Sequence, residues 1–175
     1  MSGSVGDNTA RASGVIASAG GGGKILQVVQ QVKTNTSSYA GTTWKIISGF
    51  SKAITPVAEG SSFLVSWNLT IGYSRNMPSV FLDIDGAGYN QLTDYIGNAA
   101  GSRGRTNAMS DGPETRSSNN ILDTPTYSLG DVLTYDVRFF THGSHTAYVN
   151  RTQADADNYY TVRGASFVTI WEIAA

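Results

Sequence analysis

The stretch Phe63-Leu64-Val65-Ser66-Trp67-Asn68-Leu69-Thr70-Ile71-Gly72-Tyr73 decides the fold class. Phe63, Val65, Trp67, Leu69, Ile71 and Tyr73 alternate with Leu64, Ser66, Asn68, Thr70 and Gly72. Successive side chains of a β-strand point to opposite faces. A period of two therefore gathers all six large residues on one side and mostly small or polar residues on the other. The stretch predicts a strand with one buried face.

The same pattern recurs on both sides of it. Val80, Leu82 and Ile84 alternate with Asp83 and Asp85, which lead into a turn at Gly86 and Gly88. Leu133, Tyr135, Val137 and Phe139 alternate with Asp136 and Arg138. Upstream, Lys24 to Val32 is a short apolar-rich run bounded by the Thr/Ser-rich segment Lys33 to Thr43. Trp44 to Ile47 and Lys52 to Thr55 predict two brief strands, the second ended by Pro56. Downstream of Gly143, His145 to Arg151 and Ala165 to Ile173 read as strands, and only Asn90 to Ile96 suits a helical turn or two. The polar stretch Asn98 to Asn120 predicts an excursion from the core or a functional surface loop. About eight to ten short strands separated by polar turns predict an all-β, jelly-roll-like antiparallel β-sandwich with the C-terminal strand central to its sheet. Residues 1–23, which end in Ala19-Gly20-Gly21-Gly22-Gly23, read as a flexible Gly/Ser-rich N-terminal arm, and residues 24–175 as the β-domain.

Composition limits the functions this domain can carry. A chain of 175 residues suits one domain with a single core. Twelve Lys plus Arg against thirteen Asp plus Glu leave a net charge of −1, which argues against a general nucleic-acid binder. Arg103 and Arg105 are the nearest approach to a basic patch. Charged residues make up 14% of the chain, against roughly 25% in typical soluble domains, so Ser, Thr, Asn and Gly must cover much of the surface. The absence of cysteine excludes disulfides, thiolate metal sites and cysteine nucleophiles, and favours a bacterial or viral origin. Met1 to Gly14 lack the basic start and apolar run of a signal peptide, and no window reaches the eighteen apolar residues of a membrane span. The expectation is a soluble protein made in a bacterial cytoplasm, with no membrane insertion.

Constellations for chemistry are sparse. His142 and His145 flank Gly143 across a turn, and two imidazoles are too few for zinc without a carboxylate such as Asp123 or Asp136. Asp83-Ile84-Asp85 and Asp155-Ala156-Asp157 alternate carboxylates as some calcium loops do, and Asn158 adds an oxygen to the second, but neither continues into the full loop. No Gly-x-Ser-x-Gly elbow occurs, and Glu59, Glu114 and Glu172 are the only glutamates. Glu172, between Trp171 and Ile173, must face away from both and is expected to be solvated or at an interface. Gly20 to Lys24 resembles a phosphate loop superficially, lacking the Ser/Thr and the helix that should follow. The three Asn-x-Ser/Thr sequons, at Asn35, Asn68 and Asn150, are chance matches without a signal peptide. The expectation is no enzyme, no cofactor and no metal. Tyr39, Tyr89, Tyr95, Tyr127, Tyr159 and Tyr160 fall in expected loops, where flat amphipathic rings serve recognition or packing.

Several short motifs carry a resemblance. Lys24-Ile25-Leu26-Gln27-Val28, Ile54-Thr55-Pro56 followed by Ser62-Phe63-Leu64-Val65, Tyr148-Val149-Asn150-Arg151 and Ser166-Phe167-Val168-Thr169-Ile170-Trp171-Glu172-Ile173-Ala174 resemble a module of tailed-phage virion proteins, especially tail-fibre and appendage proteins of aquatic phages. The start Val5-Gly6-Asp7-Asn8-Thr9-Ala10-Arg11-Ala12-Ser13-Gly14 is similar to that of such proteins. The resemblance implies a β-sandwich, often trimeric, without cofactor or active site, placed on a fibre, an appendage or the capsid as decoration or cement. The chain lacks the repetitive shaft of a complete fibre.

From these readings the expected function is a non-catalytic virion structural protein, homo-oligomeric and touching other capsid or tail proteins. Val5, Arg11, Val15 and Ile16 of the arm are its expected anchor. The alternatives are a host-glycan-binding fibre tip reading through Tyr89, Tyr95, Arg103, Arg105 and Tyr127, and a polysaccharide-degrading enzyme.

Overall fold

A computed structural model describes residues 23–73, 79–85, 96–101, 105–106, 108–109, 114–141 and 145–175. The strands are β1 (Ile25–Lys33), β2 (Ser37–Ala40), β3 (Lys45–Ile54), β4 (Ser62–Tyr73), β5 (Ser79–Asp85), β6 (Ala108–Met109), β7 (Glu114–Asp123), β8 (Leu133–Phe140), β9 (Thr146–Val149) and β10 (Ser166–Ile173). Every pairing between them is antiparallel. Among the described residues there is no helix, and the fold is an all-β sandwich of two antiparallel sheets.

The alternation in β4 does what its period requires. Phe63, Val65, Trp67, Leu69 and Ile71 are all at most 1% exposed, while the side chain of Tyr73 lies outside the described part. From the second sheet Ile47, Phe50, Ile54, Leu133, Tyr135, Val137 and Phe139 pack against them. Each such side chain contributes roughly 1.5–3 kcal/mol relative to exposure, so this layer is the main source of stability.

Pairing follows a nested pattern. β1 pairs with β10, β3 with β8, β4 with β7 and β5 with β6. The chain is thus one long hairpin whose arms roll into two sheets. The first sheet runs β1-β10-β4-β7, and the second β3-β8-β5-β6. β4 outruns its neighbour: on the edge away from β7, β10 pairs with it from Ser62 to Asn68, and β9 takes over from Ile71 to Tyr73. β2 lies outside β9 as β1 lies outside β10. The C-terminal strand is central, with neighbours on both sides, as expected.

Where the strand pattern of the sequence departs from the structure, the cause is local. The two brief strands expected at residues 44–55 are one strand, β3. Its register against β8 slips between Ile46 and Ser51, with Gly49 at φ 71°, so Ile47 and Phe50 both reach the core out of phase. The polar stretch expected as an excursion contains β6 and most of β7. The inward positions Ser117, Asn119, Ile121 and Asp123 of β7 carry one apolar residue among four, so no alternation marks it. The possible helical turn lies at residues 90–96, of which only Ile96 is described.

Two buried polar residues fasten the ends of β10. At the seam where β10 gives way to β9, Asn150 is fully buried at φ 60°, a left-handed conformation that Asn tolerates better than most residues. Its Nδ2 donates to the carbonyls of Lys33 and Asn35 at 2.8 and 3.1 Å, closing the break between β1 and β2. Ser166 Oγ donates to Asn150 Oδ1 at 2.5 Å and accepts from the Thr70 N–H at 3.0 Å. The Asn150 N–H donates to the Thr70 carbonyl, and the Gly164 N–H to the Asn150 carbonyl. Asn150, through its side chain, its backbone and Ser166, thereby ties the end of β9 to β1, β4 and β10.

At the other end, Glu172 is fully buried. This corrects the expectation of a solvated or interface residue: Glu172 does face away from Trp171 and Ile173, but inward. Its carboxylate accepts from the Val57 and Ala58 N–H groups, Ser61 Oγ and Gln27 Nε2, all within 2.6–3.1 Å. Residues 55–61 carry the chain from the second sheet to the first, so the carboxylate pins that crossover. Burial pushes the Glu172 carboxyl up, but the bonds from Gln27, Ser61, Ala58 and Val57 together outweigh it and hold it below its usual range.

Both clamps make predictions. Asn150→Gly keeps the backbone conformation and removes the side-chain bonds; urea unfolding should show a loss of about 2–3 kcal/mol. Asn150→Ala should lose about 1–2 kcal/mol more, because it adds the left-handed strain; equal stability of the two variants would remove the role given to φ. For Glu172, a depressed folded pKa means stability that is present above the unfolded value near 4.5 and lost as pH falls through the lower folded value. Glu172→Gln should be about 1–3 kcal/mol less stable than wild type at neutral pH, and thermal melts should show the gap closing as the medium is acidified below pH 4.5.

Candidate functional site

The residues singled out from the sequence are not gathered into one described site. Val5, Arg11, Val15 and Ile16 of the arm, and Tyr89, Tyr95 and Arg103 of the loops, lie outside the described residues. Arg105 is described and exposed, its Nε donating to the Gly97 carbonyl at 2.6 Å. Tyr127 is half-buried with its ring edge-on to Phe63, 5.6 Å between centroids. Its hydroxyl donates to the Ala58 carbonyl and accepts from the Ser61 N–H. Tyr127 thus braces the crossover that Glu172 pins. Tyr39 packs edge-on against Phe139 at 5.2 Å.

Two further carboxylates considered for chemistry, Asp123 and Asp155, have structural partners. Asp123 is buried and accepts from the Tyr135 hydroxyl at 2.8 Å; burial pushes its carboxyl up, opposed by the bonds from Tyr135 and the Thr124 N–H. Asp155, at φ 44°, accepts both Arg163 Nε and Nη2 at 2.9 and 3.0 Å. That fork holds its carboxyl below the usual range. Of the oxygens considered for calcium, those of Asp155 are engaged by the Arg163 guanidinium, and Asn158 Oδ1 accepts from the Tyr160 N–H. His142 lies outside the described residues, and among the described residues no three His, Cys, Asp or Glu are grouped to hold a metal ion.

The 153–165 loop presents aromatic surface. Tyr159 and Tyr160 are 81% and 74% exposed, their rings 3.9 Å apart and tilted by 34°, with their hydroxyls hydrogen-bonded. The Asp155–Arg163 pair closes the base of the loop, and the Tyr160 N–H bonds Asn158 Oδ1 at 3.0 Å.

The larger feature is the outer face of the first sheet, which the sequence reading did not single out. Register places Val28, Trp171, Leu64 and Leu122 side by side across β1, β10, β4 and β7. The next outward row is Gln30, Thr169, Ser66 and Asn120, and the next Val32, Phe167, Asn68 and Ser118. Gln30 Nε2 donates to Thr169 Oγ1 at 2.8 Å within the polar row. These twelve positions contain no charged residue. Val28, Val32 and Leu122 are each about half exposed, Phe167 is 37% exposed, and Ile25 at the end of the face is 54% exposed. The row Val28, Trp171, Leu64 and Leu122 thus forms an apolar stripe across all four strands of this face. Alternation in β1 and β10 was the available signal, but both strands carry apolar residues on both faces, so sequence alone could not say which face meets solvent.

No family model matches this sequence, and no curated protein matches it.

Proposed function

We propose that the chain is a non-catalytic structural protein of a bacteriophage virion, assembling as a homo-oligomer on the particle surface as a fibre appendage, decoration or cement subunit. The observation that carries this reading is the apolar row Val28, Trp171, Leu64 and Leu122 that crosses the outer face of the first sheet, a surface suited to standing contact with other subunits. The nested pairing supports a jelly roll, since a six-stranded sheet that runs β1-β10-β4-β7 with β9 and β2 beside the far end of β4, and a four-stranded sheet β3-β8-β5-β6, are what a rolled long hairpin produces. The resemblance of residues 24–28, 54–65, 148–151 and 166–174 to phage virion modules supplies the context. In this reading residues 1–23 are the anchor, with Val15 and Ile16 giving apolar contact and Arg11 a carboxylate partner, and weak contacts add across symmetry copies.

A second reading, a glycan-binding tip, is favoured by the exposed Tyr159–Tyr160 pair. Stacked rings beside Asn158 offer the apolar face and polar edge that sugars take.

Deleting residues 2–19 should abolish incorporation into particles while the domain still melts as wild type. Virions carrying the truncated protein at full occupancy would refute the anchor. Immunogold labelling with an antibody against residues 24–175 should decorate intact particles, over the head for cement and at the tail for an appendage. For the second reading, Tyr159→Ala with Tyr160→Ala should eliminate any glycan-array signal of the wild type, and an array on which the wild type is silent removes it.

A further inference from the structure

We propose that one water molecule is bound inside the sandwich between Trp67 Nε1 and Ser117 Oγ, where it joins the inner faces of β4 and β7. This site goes beyond the virion reading, because it belongs to the core of the domain wherever the domain serves.

Trp67 and Ser117 are each 1% exposed. Among the described residues, neither Trp67 Nε1 nor Ser117 Oγ has a hydrogen-bond partner. An unpaired polar group in a core carries its full desolvation penalty, and the N–H of a buried Trp ordinarily finds a partner. Two such atoms far apart would be two separate defects, but these two are neighbours. Register sets Trp67 opposite Asn119 and Leu69 opposite Ser117, and all four positions face inward. Trp67 and Ser117 are therefore diagonal neighbours on one face of one strand pair. Diagonal residues stand about 7–8 Å apart at the backbone, a gap that the length of the indole shortens. Two hydrogen bonds meeting at one water span roughly 4.5–5.5 Å.

The chemistry of the pair selects the ligand. The indole N–H only donates, whereas the hydroxyl donates or accepts. The bridging group must therefore accept from Trp67 and can do either with Ser117. A cation has nothing to accept with, and an apolar group does neither. An anion would lie beside Val65, Leu69 and Ile121, all buried, where a charge is costly. Water fits, since buried waters typically make about 2–4 hydrogen bonds to such groups. Asn119, directly across from Trp67, turns its Oδ1 to the Asn120 N–H at 2.8 Å, so that oxygen does not take the indole proton. Asn119 is also half-buried, which places the site one residue from solvent, as an exchangeable water requires. The bond from Tyr135 to Asp123 secures one end of β7, and the water secures the strand towards its other end.

The test is a double-mutant cycle on the full chain, read by urea unfolding. Ser117→Ala should lower the folding equilibrium constant about fivefold or more, because the water loses an anchor and the indole N–H is stranded. Two unbridged atoms predict the opposite sign, since alanine then removes only an unpaired hydroxyl. Trp67→Phe also loses ring volume, but that loss appears in both arms of the cycle and cancels. In the Ser117→Ala background, Trp67→Phe should cost about fivefold less than it does in the wild type. Should the Trp67 variants fail to fold, a crystal structure of the wild type that resolves ordered water decides. It should show one water within about 3.2 Å of both Nε1 and Oγ. A dry site, a direct Nε1–Oγ bond, additive variants, or unchanged or raised stability in Ser117→Ala would each overturn the proposal. None of these outcomes bears on whether particles carry the protein, so the two readings fail separately.

Discussion

The carboxylate of Glu172 holds together parts of the chain that hydrophobic packing alone leaves free to slide. A sandwich buries its inner faces equally well over a range of sheet offsets, since apolar contact has no direction. Hydrogen bonds have direction. By taking the Val57 and Ala58 N–H groups, Ser61 Oγ and Gln27 Nε2 at once, Glu172 fixes where the crossover leaves β3, where β4 begins, and how β1 sits against β10. A buried carboxylate is tolerated only when its lone pairs are occupied, so the crossover must adopt this path for the strand to be buried. Asn150 applies the same logic at the far end of β10, where four strands meet and backbone pairing changes hands.

These clamps matter more because the pairing is nested. β1 and β10 join residues almost a chain length apart, Ile25 to Ile173, and closing such a loop costs entropy before any contact offsets it. The inner pair β5–β6 and the neighbouring β4–β7 separate fewer residues. The outermost pairing is the one that most needs strong, specific bonds, and both clamps lie on it.

Reading the sequence exposed the elements whose two faces differ. β4 and β8 were legible because their large residues occupy one parity only. β7 and β2 were not, because inward positions such as Ser117 and outward ones such as Ser118 are chemically alike, and their pairing is imposed by the long free edge of β4 and by β9. The slip in β3 split one strand into two apparent ones. For β10 the parity was right and the sides were exchanged: Trp171 and Ile173 alternate with Glu172, and polarity alone assigns the acid to solvent. Three of its four donors come from a loop some 115 residues away and the fourth from β1, and nothing local to Trp171-Glu172-Ile173 reveals them. Tyr127 was obscured in the same way, since its partners Ala58 and Ser61 are distant in the chain.

The exchange of sides in β10 links the core to the surface. Once Glu172 faces inward to hold the crossover, the period of two forces Trp171 and Ile173 outward, whatever solvent prefers. Two apolar side chains on the outer face are therefore a geometric consequence of the clamp. Val28, Leu64 and Leu122 are not. They lie on three other strands, where buried neighbours such as Phe63, Val65, Ile121 and Asp123 fix which way the side chain points but not what it is, and the next row of the same strands is Gln30, Ser66 and Asn120. Polar residues are evidently compatible with this face one row away. Apolar residues beside Trp171, and only in its row across all four strands, extend a forced exposure into a continuous stripe. A forced exposure that was merely a liability would be surrounded by charge, as edge and face positions commonly are. Here Trp171 is flanked instead by Val28 on one side and by Leu64 and Leu122 on the other, so the row is apolar on all four strands.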